Sequence, residues 1–310
     1  MIDREPGSGD LVVFGHSLRR IGLYGILAAM IGFYLLPIET GLMTSIKLPG
    51  SYTGQWPFIP PIQQPWIDAG RFSIRPWITA FTELRSGLVN SVILVIPATI
   101  FSGLLASMAA YGLTNVDWRG QVGIYILFVA GVFIPYQAVL VPLTQFWYAI
   151  VPLQEAIQAL TPYLSVVGLR EYHWKLIALI VTHTAYGIPI CTLLFRSYYK
   201  KLPQEMFEAA RLDGASITRI YRRIVLPLSI PMFAVVFIYQ FTQIWNDLLF
   251  ALVIIQSGDA SVVTQALVGL GTSQSGTNFP LRMAGAFIAA LPTLLVYIVF
   301  GDKFAKGVRA

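Results

Sequence analysis

Asp247 stands alone as a charge in the stretch Ile224 to Gln256, which is otherwise apolar. A carboxylate at that depth in hydrocarbon is costly unless it faces protein or water, so Asp247 is expected to face the interior of a helix bundle. With Asn246 it supplies hydrogen-bond acceptors of the kind hydroxyl-rich ligands use, and Trp245 offers a flat ring on which a sugar face stacks. An interhelical polar contact or a gate element, with no ligand contact, is the competing reading of these three residues. His183, between Thr182 and Thr184, is a packing residue held by hydrogen bonds or, less commonly, a proton relay. Cys191 is the single cysteine. That count excludes a disulfide framework and a cysteine metal cluster, and leaves a small buried apolar side chain as the ordinary reading. No lysine precedes serine or threonine, so the Gly-Lys-Ser/Thr ending of a phosphate-binding loop is missing. No His-Glu-x-x-His motif, paired carboxylates or nucleophile set is present either, and no catalytic or metal-ligating residue is assigned.

A second informative stretch is polar and ordered in pattern: Tyr198 to Pro227, YYKKLPQEMFEAARLDGASITRIYRRIVLP. Pro203 suits the first turn of a helix, with Gln204, Glu205 and Glu208 after it and Arg211 near its end, as the helix dipole favours. Leu212-Asp213-Gly214 then breaks the helix, because glycine enters the left-handed region that ends helices. A second helix should follow, with Ile217, Ile220, Tyr221 and Ile224 on one side and Arg219, Arg222 and Arg223 ringing the approach to the membrane. Ala209, Ala210 and Ala215 flank the turn and would let a partner approach the backbone closely. An amphipathic surface helix without a partner fits the same pattern.

These residues need a frame, and composition dictates its solvent. The chain has 310 residues, 56% of them hydrophobic and 12% charged, with a mean hydropathy of +0.67. A soluble surface cannot be built from so little ionic material, so the bilayer must be the solvent. The formal charge of +6 does not point to nucleic acid, since the basic residues cluster at the ends of apolar runs.

Six runs are about long enough to cross a hydrocarbon core of about 30 Å as helices. They are Ile21 to Ile46, Gly87 to Leu113, Gln121 to Ile150, Leu176 to Phe195, Ile224 to Gln256 and Met283 to Gly301. The first is read as a retained anchor rather than a cleaved leader. With both termini cytoplasmic, fourteen of the 21 lysines and arginines lie inside, a twofold excess that favours this orientation. Residues 1–20 are then a cytoplasmic segment, 21–301 a six-span transmembrane domain, and 302–310 a short cytoplasmic tail. Lys47 to Ser86, rich in proline and tryptophan, and Val151 to Trp174 form long outer connections. Their tryptophans are interfacial anchors or, alternatively, contacts for an external protein.

The loop resembles the one shared by importer permeases of the ATP-binding cassette superfamily. The pattern stands here as Glu208-Ala209-Ala210, then Asp213-Gly214-Ala215, then Ile224-Val225-Leu226-Pro227. Ile134-Pro135, Gly187-Ile188-Pro189, Trp245-Asn246-Asp247 and Ala289-Ala290-Leu291-Pro292 are similar to carbohydrate-type permeases, like the second membrane subunit of maltose importers. The likeness runs from about Ser86 to the end, departing in a longer connection at 151–166 and in the absence of the usual glycine-containing tail.

The resemblance implies an all-α integral membrane fold of the type I importer kind, with six transmembrane helices and a cytoplasmic coupling helix. It implies that Glu208, Ala209, Ala210, Arg211, Asp213, Gly214 and Ala215 engage an ATPase subunit, and that Trp245, Asn246 and Asp247 lie in the translocation path. It further implies a homologous second permease subunit forming a heterodimer, two ATP-binding cassette subunits carrying ATP and Mg, and an external sugar-binding protein. No cofactor belongs to this chain itself, and its other partner is membrane lipid. A glucose- or mannose-like monosaccharide is the favoured cargo; di- or oligosaccharides and glycerol phosphate are alternatives. An ion-coupled secondary transporter is a more distant rival, lacking support from internal repeats or several buried ionisable groups.

Overall fold

A computed structural model describes residues 2–4, 11–13, 16–48, 56–61, 71–164, 170–256, 258–273 and 276–309. Pro65 and Trp66 of the first long connection, part of segment 1–20 and the side chains of the tail lie outside the described residues.

Backbone in hydrocarbon must satisfy its own N–H and C=O groups, so the apolar runs become helices. Four are long and apolar enough to cross a membrane: α1 (Leu18–Ser45), α2 (Arg75–Asn115), α6 (His173–Tyr199) and α13 (Phe279–Arg309). Two bent pairs raise the number of candidate spans to six. In the first, α3 (Gln121–Val132) breaks at Phe133 to Pro135 and continues through a 3-10 turn (Tyr136–Val139), α4 (Leu140–Gln145) and a π turn (Phe146–Ile150), with a bend of 101°. Pro135 has no N–H to continue the ladder and restricts the residue before it.

The second pair departs from the expectation of one long run from Ile224 to Gln256. Here α8 (Ile217–Ile220), a π turn (Tyr221–Val225) and α9 (Leu226–Leu228) meet α10 (Ile230–Trp245) at 74°. Pro227 and Pro231 flank the break and cannot donate across it. A further break at Asn246 to Leu248 precedes α11 (Leu249–Ile254), and α12 (Val263–Gly269) follows.

The expected outer connections are also partly helical. The helix carrying the second span begins at Arg75, twelve residues before Gly87, with Pro76 in its first turn. The connection after Ile150 contains α5 (Leu153–Leu164), and the loop before the fifth span contains α7 (Gln204–Leu212). Three short antiparallel strands, β1 (Ile2–Arg4), β2 (Leu11–Val13) and β3 (His16–Ser17), precede α1. A hairpin of β4 (Thr272–Ser273) and β5 (Gly276–Thr277) precedes α13.

The chain forms two compact units. In the first, residues 1–82 and 270–288, α1 meets α13 where Gly41 lies against Phe287 and Met283. The Trp77 ring stacks on Phe287, and its indole N–H donates to Ser45 Oγ at 3.1 Å. Lys47 is fully buried, its ammonium donating to the carbonyls of Trp56 and Pro57, which is how a buried cation is tolerated. Asn278 caps α13, its side-chain oxygen accepting from Leu281 N–H at 3.2 Å.

The second unit, residues 83–269 and 289–310, holds two apolar clusters. One gathers Leu94, Trp147, Trp174, Leu179, Trp245 and Phe250. The other gathers Ala106, Cys191, Phe195, Tyr199, Phe207 and Ile220. Cys191 is thus the buried apolar residue its surroundings in the sequence suggest. Within the second cluster Ser107 of α2 shares hydrogen bonds with the hydroxyls of Tyr199 (2.6 Å) and Tyr221 (2.9 Å). Ser229, at the 74° break, donates its single hydroxyl proton to Val225 O, and its oxygen lies 3.3 Å from the same Tyr199 hydroxyl. Four hydroxyl groups therefore form one connected network.

Candidate functional site: a capped loop helix and an acidic cavity

Helix α7 opens after Pro203 and ends in a complete Schellman arrangement. Gly214 N–H donates to Arg211 O at 3.0 Å and Ala215 N–H donates to Ala210 O at 2.9 Å. Gly214 sits at φ +75°, the left-handed region that glycine enters without steric cost. Ser216 then caps α8, accepting from Arg219 N–H at 3.3 Å.

Burial sorts the seven residues assigned to coupling. Glu208, Ala209, Arg211, Asp213 and Gly214 are exposed, whereas Ala210 and Ala215 are half-buried and pack on the second apolar cluster. Of the three alanines expected to let a partner approach, only Ala209 is exposed. Phe207, at 1% exposure, anchors the helix from below. Leu212 is 89% exposed at the tip, an apolar knob that the sequence reading treated only as part of the break. Ile217, expected on one side of the next helix together with Ile220, is exposed, while Ile220 is buried.

Arg211 does more than favour the helix dipole. Its guanidinium donates to Asn115 O at 2.6 Å, at the C-terminus of α2, where a helix leaves carbonyls unsatisfied. Arg196 of α6 donates to the neighbouring Leu113 O at 3.3 Å and lies over the Tyr125 ring of α3. Arg211→Ala is expected to cost under about 1 kcal/mol of stability, since the group is exposed. Its larger effect is expected to be a loosening of α7 from α2, with amide hydrogen exchange in α7 faster by about fivefold. Hydrogen-exchange measurements on the purified protein check this: unchanged protection of α7 would refute the tether.

The second feature is a cavity of about 500 Å³, within the usual range for small-molecule sites. The end of α3, the turn at Tyr136, α6, α10 and the break after α10 line it. Asn246 and Asp247 are on its wall; Trp245 is not. The Trp245 ring is 2% exposed, stacked on Phe241, with its indole N–H donating to Ala289 O at 2.9 Å. The sugar-stacking face expected of Trp245 is therefore occupied by protein.

Asp247 is held from several sides. Tyr136 O–H donates to Oδ1 at 2.6 Å, Ala251 N–H donates to Oδ2 at 3.4 Å, and the Thr264 hydroxyl donates to the Asp247 carbonyl at 2.7 Å. His183 Nε2 lies 3.4 Å from Oδ2, within ion-pair reach but without hydrogen-bond geometry, and both side chains are 5% exposed. Asp247 thus makes an interhelical polar contact and also faces the cavity. Tyr136 and His183 lie 111 and 64 positions away in the chain, so no local spacing announced the cluster. Among the described residues no group of histidine, cysteine, aspartate and glutamate is placed to hold a metal ion.

Residues 100–309 match the family described as binding-protein-dependent transport system inner membrane component. The chain belongs to this family. The permease is 51% identical over 295 residues to the xylose/arabinose import permease protein XacI of Haloferax volcanii, covering 94% of this chain and 93% of that one. It is 28% identical to the diacetylchitobiose uptake system permease protein NgcG of Streptomyces coelicolor, covering 99% and 96%. Its fold is that of a chain in the crystal structure of a bacterial ABC transporter involved in the import of the acidic polysaccharide alginate. The TM-score is 0.64 at 17% identity, covering 94% of this chain and 99% of that one. The permease is a transmembrane subunit of a sugar-type ATP-binding cassette importer, and ATP is hydrolysed by separate subunits. Enzyme activity is not its role.

Proposed function

We propose that the permease imports a neutral monosaccharide, with aldopentoses as the leading cargo, and that it pairs with a homologous second permease subunit. The identity of 51% along nearly the whole chain to a xylose/arabinose permease carries this reading. It ranks pentoses ahead of the glucose- or mannose-like cargo expected from the sequence, and ahead of the larger sugars named for more distant relatives such as NgcG. Two ATPase subunits, binding ATP and Mg, grip Glu208, Ala209, Arg211, Asp213 and Gly214 around the Leu212 knob, with both termini and this loop in the cytoplasm. Ala210 and Ala215 act beneath that surface, seating the turn on the membrane helices. An external binding protein delivers the sugar to the opposite side, and Asn246 and Asp247 line part of its path. ATP-driven closure shifts the permease between two states by favouring one of them.

Proteoliposomes holding the full importer and its binding protein test the reading with labelled D-xylose, L-arabinose, D-glucose, D-mannose and maltose. ATP-dependent accumulation of the pentoses above the others is expected. Accumulation of maltose alone would transfer the assignment to disaccharides, and accumulation without ATPase subunits would overturn it.

A further inference from the structure

We propose that the cavity selects by charge, admitting neutral ligands and rejecting anionic ones such as carboxylated or phosphorylated sugars, and that Asp247 sets this selection. The proposal deepens the reading of the cavity as part of the sugar path and rests on it. Its basis is the composition of the wall. Among the described residues no lysine or arginine lines the cavity, and Asp247 is its one carboxylate.

The surrounding backbone adds to the negative field. Helix α3 ends at Val132 and α10 at Trp245, and Val132 and Asn246 line the cavity, so the carbonyl ends of two helices border it, against the N-terminus of the short α11, whose Ala251 N–H is bound to Asp247 Oδ2. Such carbonyl ends carry roughly half a negative charge each. The Tyr136 hydroxyl fixes the carboxylate in place without neutralising it. Low-dielectric walls focus a field of this kind rather than screening it. A neutral polyol meets no such barrier, and its hydroxyls can donate to Asp247 and exchange hydrogen bonds with His183, whose Nε2 is buried and lacks a hydrogen-bond partner.

The test reads the field directly and needs no knowledge of the cargo. Gln243→Cys places a thiol on the exposed part of the wall, and the native Cys191 is buried, so the parent chain serves as the blank. In assembled importer in lipid nanodiscs, the thiol is reacted with two methanethiosulfonates of similar size, one bearing a trimethylammonium group and one a sulfonate. The cationic-to-anionic rate ratio should exceed that of a free thiol by at least about tenfold, and Asp247→Asn should bring it to within about twofold of the free thiol. If Gln243→Cys disrupts assembly, Leu248→Cys on the same wall gives the same readout.

A ratio equal to that of the free thiol with Asp247 present would overturn the proposal. So would a raised ratio indifferent to Asp247→Asn. Because the ratio is measured without transport, failure of sugar uptake with the ratio intact would count against the sugar reading alone.

Discussion

Gly214→Pro is expected to abolish ATP-driven uptake while leaving a permease that still inserts and folds its membrane helices. Proline holds φ near −65°, whereas this position stands at +75°, so the turn cannot form as it is. The substitution also removes the N–H that closes onto Arg211 O. Everything beyond the turn is then re-aimed, including Ser216, the cap of α8, and the exposed Leu212 loses its presentation. The space around Gly214 is open, so the effect comes from backbone conformation and not from collision. Gly214→Ala should accordingly be intermediate, costing roughly 1–2 kcal/mol for a left-handed alanine. Uptake, ATPase rate and detergent-solubilised monodispersity, measured together, decide the matter. A Gly214→Pro importer that accumulates sugar at the native rate would rule out this turn as the docking element.

The second large effect is expected at Gly187 of α6. A Cβ there would come within 2.0 Å of Gln240 Nε2 and 2.7 Å of its Cδ. Gln240 is 3% exposed, its amide facing His183 O at 3.4 Å and the Cys191 thiol at 3.7 Å, so displacement leaves a buried amide without partners. Gly187→Val should therefore destabilise the permease by about 2–4 kcal/mol, from overpacking and lost hydrogen bonding together. Gln240→Ala removes the colliding group and should restore part of the loss. The shared fate of the two positions is read from thermal aggregation of the single and double variants. No recovery in the double variant would show that Gln240 is not what limits the space.

Much of the architecture could be read in the sequence because the bilayer imposes it. Apolar runs of membrane length become helices, and the Pro203 to Gly214 signals mark α7 because dipole, cap and left-handed glycine all agree. What could not be read depended on tertiary partners. Nothing in the run around Asp247 tells that a tyrosine 111 residues earlier donates to it. Nor does the residue type of Trp245 tell whether its ring faces a cavity or Phe241. The breaks at Ser229 and Asn246 escaped notice because apolar composition alone is silent about helix continuity, although Pro227 and Pro231 mark the first. Ala210 and Ala215 look equivalent to Ala209 in size, and only packing on Phe207 and its neighbours separates them.

The four hydroxyls of Ser107, Tyr199, Tyr221 and Ser229 weld three segments of the second unit at one level. Hydrogen bonds shared so closely resist shear, so a push arriving through α7 should turn those segments as a single block. Pliancy must then be found beyond it, at the 101° elbow after α3 and at the interruption beside Asp247, where backbone ladders are already open. On this view the scaffold yields beside Asp247, on the wall of the cavity proposed above as part of the sugar path.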